Sequence, residues 1–95
     1  MVDKSEYIEK AKARLDQWNA EIEKLKAKAD EAEADAKVGY QKQIEEIRAQ
    51  RDEAEKKMKE MQAASGDAWH EMKAGLDKAW DDLGKAFQNA MARFR

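Results

Sequence analysis

Apolar residues recur along the first part of the chain at alternating steps of three and four: Ile8, Ala11, Leu15, Trp18, Ile22, Leu25, Ala29, Ala32 and Ala36. That alternation marks the seam of a left-handed coiled coil, because residues three and four apart share one face of an α-helix. The spacing then takes steps of four through Ala36, Tyr40 and Ile44, and alternation resumes at Ile47, Arg51, Ala54, Met58 and Met61. This extra half-turn is a stutter, which locally unwinds the supercoil. From Ala68 onward the pattern becomes a repeat of eleven, reading AWHEMKAGLDK, AWDDLGKAFQN, AMARFR. Trp69, Trp80 and Met91 are equivalent in it, as are Met72, Leu83 and Phe94, and Leu76 and Phe87. Three turns of α-helix take up about eleven residues, so these side chains fall on one nearly straight face.

Local signals place the ends of these helices. Asp3 followed by Glu6 fits a capping box, in which each side chain satisfies a free backbone N–H. Glu6 and Lys10, Glu33 and Lys37, Asp52 and Lys56, and Glu55 and Lys59 are each four apart with the acid first. Such pairs support an exposed helix by a few tenths of a kcal/mol, roughly, each. The clearest break is Ser65-Gly66-Asp67: Gly66 suits the left-handed conformation that ends a helix, and Asp67 is a good N-cap for the next. Gly39 is a second candidate hinge, since an interior glycine costs about 1 kcal/mol against alanine. No Pro, Asn or Asp accompanies it, and helix formers flank it. The reading is a single helical domain over residues 1–95, with one helix over about 4–64, a turn at 64–67 and a second helix over about 67–93.

A helix of that length extends about 90 Å and the second about 40 Å, at roughly 1.5 Å per residue. Folded back at Gly66, the second helix covers only the later half of the first. Ile8, Leu15, Trp18, Ile22 and Leu25 then form a bare strip too large for a monomer to leave in water. Ala68, Ala79 and Ala90 also widen the second helix's apolar face beyond what one neighbour needs. The expected fold is therefore all-α, a helical hairpin of one long and one shorter helix that associates as an antiparallel coiled-coil or three-helix-bundle assembly. The expected self-association surface comprises Ile8, Leu15, Trp18, Ile22 and Leu25, with Ile44, Ile47, Met58 and Met61 from the later half of the long helix. The second helix adds Trp69, Met72, Leu76, Trp80, Leu83, Phe87, Met91 and Phe94. The Ala-rich stretch 26–36 would lie near the two-fold axis. Bending at Gly39 would allow the same contacts within one chain, so dimer and monomer are related by domain swapping.

Composition narrows the function. With no Cys there is no disulfide, thiol nucleophile or thiolate metal site. The 19 basic and 21 acidic residues are interspersed, for a net charge of -2, which is not the basic footprint of a nucleic-acid binder. No Pro, 4 Gly and 42% charged residues describe long helices. His70, the single imidazole, has no His or carboxylate three or four residues on to complete a ligand pair. Asp81 and Asp82 point about 100° apart on a helix and make no paired-carboxylate site. Arg51 interrupts the apolar stripe, where it either pairs with a carboxylate to set register or reaches for the surface. No phosphate loop or nucleophile elbow is present, so no enzyme activity, cofactor, metal or small-molecule substrate is expected. No apolar run approaches the roughly 20 residues of a membrane span. The start MVDKSEYIEK lacks the apolar core of a signal peptide, and the expected location is cytoplasmic.

The repeat supports one alternative: residues 68–95 as an amphipathic helix that binds lipid or membrane surfaces, with Trp, Phe and Met at the interface. Near-balance of Lys73, Lys78, Lys85, Arg93 and Arg95 against Glu71, Asp77, Asp81 and Asp82 gives anionic lipid little purchase. GDAWHEMKAGLDKAWDDL and AMARF, together with ADAKVGYQKQIEEIRAQRDEAE, resemble a family of small bacterial coiled-coil and stress-response proteins with apolipoprotein-like repeats. Gly39 is the local departure from that family's continuous helix. The resemblance implies a cytoplasmic, stress-associated role with no catalytic residues.

Overall fold

The computed structural model describes residues 3–93. It is all-helical and strand-free over those residues, with α1 at Lys4–Glu31, α2 at Ala34–Ala63 and α3 at Ala68–Arg93. The three helices pack side by side into a rod of 51 × 19 × 17 Å. Lys4 reaches the end of α2 and Asn19 meets Arg51, so α1 and α2 run antiparallel. Tyr7 meets Trp69 and Trp18 meets Phe87, so α1 and α3 run parallel.

The long helix expected over 4–64 is in fact two helices, and the break is not at Gly39. Gly39 lies inside α2. The chain turns at Ala32 (φ -74, ψ 155) and Glu33 (φ -65, ψ 157), both extended. The Ala32 N–H donates to the Ala29 carbonyl, and the Glu33 carbonyl accepts from Ala36 and Lys37. Two forces favour a break here. Asp30, Glu31, Glu33 and Asp35 crowd four carboxylates into fewer than two helical turns, and like charges three or four apart oppose a continuous helix. Folding back also buries Ile8, Leu15, Ile22 and Leu25. At about 1.5–3 kcal/mol per side chain, that outweighs the roughly four helical hydrogen bonds lost, each worth about 0.5–1.5 kcal/mol net.

The strip expected to be bare is thus covered within one chain. Ile8, Leu15, Ile22, Leu25, Ile44, Ile47, Met58, Met61, Trp69, Leu76, Trp80 and Leu83 are all buried in a single core. Trp18, Met72 and Phe87 pack half-buried against it. Met91 is exposed, and Phe94 lies outside the described residues. Of the three alanines expected to widen the α3 face, Ala79 and Ala90 are buried while Ala68 is exposed. Covering the strip therefore does not require a second copy, which removes the area argument for a dimer.

α2 closes at Ala64, which is extended (φ -68, ψ 138), and Ser65, Gly66 and Asp67 lie between Ala64 and α3. Gly66 sits at φ +58, and Asp67 immediately precedes α3, its carbonyl accepting from the His70 N–H. Asp3 caps α1 by accepting the Glu6 N–H at 2.8 Å. Among the charge pairs, Glu55 and Lys59 close to 3.3 Å. A Cβ at Gly66 would meet nothing, so Gly66→Ala carries only the backbone cost of the left-handed region. Thermal melts should show a loss of about 1–2 kcal/mol; an unchanged midpoint would mean that the turn relaxes to another conformation.

Candidate functional site

Polar and aromatic side chains concentrate on the seam between α1 and α3. The Tyr7 hydroxyl donates to Asp77 Oδ1 at 2.8 Å, bridging the two helices. The Tyr7 ring lies 5.9 Å from that of Trp69, and Lys73 Nζ stands 4.4 Å from the Trp69 ring centre and 5.4 Å from that of Tyr7. Further along, the Arg14 guanidinium covers Trp80 at 5.6 Å, and Trp18 meets Phe87 edge-on at 5.4 Å. Each cation rests on a ring face, where the aromatic quadrupole attracts it. The seam therefore holds α1 to α3 by contacts whose outer ends are wet and whose inner ends are core.

Burial and the bond to Asp77 push the Tyr7 phenol up to about 12, with Arg14 partly opposing them. The unfolded chain releases this proton near its ordinary 10.0, whereas the folded chain holds it to about 12. The stabilisation linked to this proton, owed first to burial and then to Asp77, is therefore complete below pH 10 and is lost as pH rises through 12. An absorbance titration of the Tyr40→Phe protein, which leaves a single tyrosine, should find the midpoint near 12, and Asp77→Asn should lower it. A midpoint at 10.0 in the presence of Asp77 would refute the contact.

Lys4 places its ammonium 2.8 Å from the Gln62 carbonyl and 2.7 Å from that of Ala64. It thereby satisfies carbonyls that the end of α2 leaves without helical partners, at the negative pole of that helix. Arg51 combines both outcomes expected of it. Its guanidinium pairs with Asp52 at 2.7 Å and donates to Asn19 Oδ1 at 2.9 Å, so it pairs at the surface while crossing to α1.

His70 is exposed and stacks on Trp69 at 4.0 Å. Asp82 pairs with Lys78 at 3.0 Å, and Asp81 is exposed. Among the described residues, no group of three His, Cys, Asp or Glu side chains is placed to hold a metal ion, and no helix is long and apolar enough to cross a membrane. One concavity lies near the α1–α2 connection, between Lys26, Asp30, Lys37, Glu45 and Arg48, and another, between α1 and α3, is lined by Leu25, Phe87 and Met91.

Sequence reasoning missed Tyr7, Arg14, Lys73 and Lys4. A signal for Tyr7 existed: it stands beside Ile8 and four residues before Ala11, so it widens the apolar stripe at its start. Nothing in the sequence marks Lys4 among 19 basic residues. The chain matches no protein-family model, no curated protein sequence and no solved structure.

Proposed function

We propose that this chain is a non-enzymatic coiled-coil module whose work is self-assembly or scaffolding, with a second copy of itself as partner in an antiparallel homodimer or higher homo-oligomer. The observation that carries this reading is the use made of the apolar side chains: nearly all the large ones serve helix–helix packing. The faces that pack within one chain are the faces a second copy would present. Light scattering coupled to gel filtration tests the reading. A mass that rises with concentration to twice that of the chain is expected, and a monomeric mass at every concentration would overturn it.

A second reading has α3 leave the bundle and bind lipid, favoured by Met91, which extends the Trp69–Trp80 row and is exposed. Both tryptophans are buried, so the bundle must open first. Binding to anionic vesicles, lost in Trp69→Glu and Trp80→Glu proteins that remain helical, would establish this reading in place of the first. The cytoplasmic, stress-associated setting is supported by the family resemblance alone.

A further inference from the structure

We infer that self-assembly proceeds by exchange of α1, through straightening of Ala32-Glu33, and that the carboxylates around this connection hold the chain closed against it. The inference rests on the self-assembly reading and specifies how a second copy would be engaged.

Three features of the connection point to exchange. First, only Ala32 and Glu33 lie between α1 and α2, and neither is a residue that demands a turn. The surrounding Lys26 to Lys37 segment contains no Gly, Pro or Asn and is built mostly of Ala, Lys and Glu, all strong helix formers. Such short connections are the ones prone to domain swapping. Secondly, the apolar row passes through the break in register, from Leu25 and Ala29 to Ala32 and Ala36. A straightened helix therefore keeps its row on one side, and α1 of one copy can occupy the place of α1 on the other copy's α2 and α3. The core it would enter is the one already described, with the same residues. Thirdly, straightening gives helical partners to backbone groups at the connection itself, such as the Glu33 N–H, which among the described residues donates no backbone hydrogen bond in the closed form.

Charge opposes this change. In a continuous helix Asp30 faces Glu33 and Glu31 faces Asp35, two like-charge pairs per chain. In the closed form the extended residues Ala32 and Glu33 break the helical spacing that sets these pairs, and Glu33 and Asp35 stand at the positive N-terminal end of α2. Glu33 makes no side-chain capping bond there, so neutralising it removes charge without removing a cap. Lys28 and Lys37 flank the cluster on the same segment, and Arg48 approaches from α2. Exchange is therefore held back by a local electrostatic term, while the contacts of the two forms are otherwise shared.

The same geometry supplies variants of opposite sign. Glu33→Pro fits the closed chain: φ is already -65, Ala32 before it is extended, and among the described residues the Glu33 N–H donates no backbone hydrogen bond. Proline at that position cannot sit inside a straight helix, so this protein should remain monomeric with unchanged helicity. Glu31→Gln with Glu33→Gln removes both repulsive pairs and should tighten dimerisation roughly tenfold, since two pairs are relieved in each of two chains. Raised sodium chloride should act in the same direction on the unaltered chain.

Ser5→Cys and Gln62→Cys distinguish exchange from simple docking. Both side chains line one cleft between the start of α1 and the end of α2. The chain has no other cysteine. Bridged by a short bis-maleimide after concentration, an exchanged dimer runs as a covalent dimer on a denaturing gel. Dimeric mass with bridges only within chains would overturn exchange and leave self-assembly standing. Monomeric mass for both the unaltered and the Gln-substituted proteins would overturn both. Equal dimerisation of Glu33→Pro and the unaltered chain would overturn the hinge.

Discussion

Leu83→Asp is expected to leave no cooperative unfolding transition at neutral pH. Leu83 is fully buried in the middle of α3. Removing a buried leucine costs about 2–5 kcal/mol through lost transfer energy and the cavity left behind. The new carboxylate adds an unpaired charge, worth several further kcal/mol, roughly, in a dry site. Its helical neighbours at three and four residues, Ala79, Trp80, Ala86 and Phe87, offer no counter-charge. Together these exceed much or all of the about 5–15 kcal/mol by which a native domain is ordinarily stable. Circular dichroism during heating and in urea reads the outcome directly. The matched control is Val38→Asp: Val38 is 68% exposed, near the start of α2, and the change should stay within about 0.5 kcal/mol. A two-state melt for Leu83→Asp near the native midpoint would mean that this face of α3 is not in the core.

Trp80→Ala is expected to cost about 3–5 kcal/mol. The indole is 6% exposed and joins α3 to the core, while Arg14 of α1 covers its outer face. The substitution removes a buried indole and leaves Arg14 without a ring to rest on. Since each kcal/mol moves the midpoint of a chain this size by about 4–8 °C, the melt should fall by well over ten degrees, roughly. Urea unfolding should show the midpoint moving with little change in slope, as befits lost stability rather than an altered unfolded state. A loss below about 1 kcal/mol, the level of ordinary substitutions, would show that the ring faces solvent or lipid instead. That result would also revive the lipid reading, because an exposed Trp69–Trp80–Met91 row is what a membrane surface would require.

These two substitutions probe positions that were legible in the amino-acid pattern. The steps of three and four mark Ile8, Leu15, Ile22, Leu25, Ile47, Met58 and Met61 as an apolar face, expected between two copies and found in the core of one chain, and the repeat of eleven does so for Trp69, Leu76, Trp80 and Leu83. Gly66 likewise carries its own reason, since a left-handed turn favours the residue without a Cβ. Periodicity and turn chemistry are local properties, and local properties survive translation into sequence.

Tertiary structure alone decides where the long apolar stripe ends and what covers it. Ala32 and Glu33 have good helix propensity, and their few tenths of a kcal/mol, roughly, carry little weight against the burial of an entire α1 face. The same stripe suits a straight helix with a second chain or a folded one with itself, so its pattern cannot choose between them. Gly39, the position with the poorer local preference, stays helical because its cost of about 1 kcal/mol is small beside the packing of α2. The Tyr7–Asp77 bridge, the Lys4 contacts at the end of α2 and the Arg14 cover on Trp80 join residues about sixty or more positions apart. No local spacing encodes such pairs; they exist because folding at Ala32-Glu33 lays α1 back along α2 and beside α3.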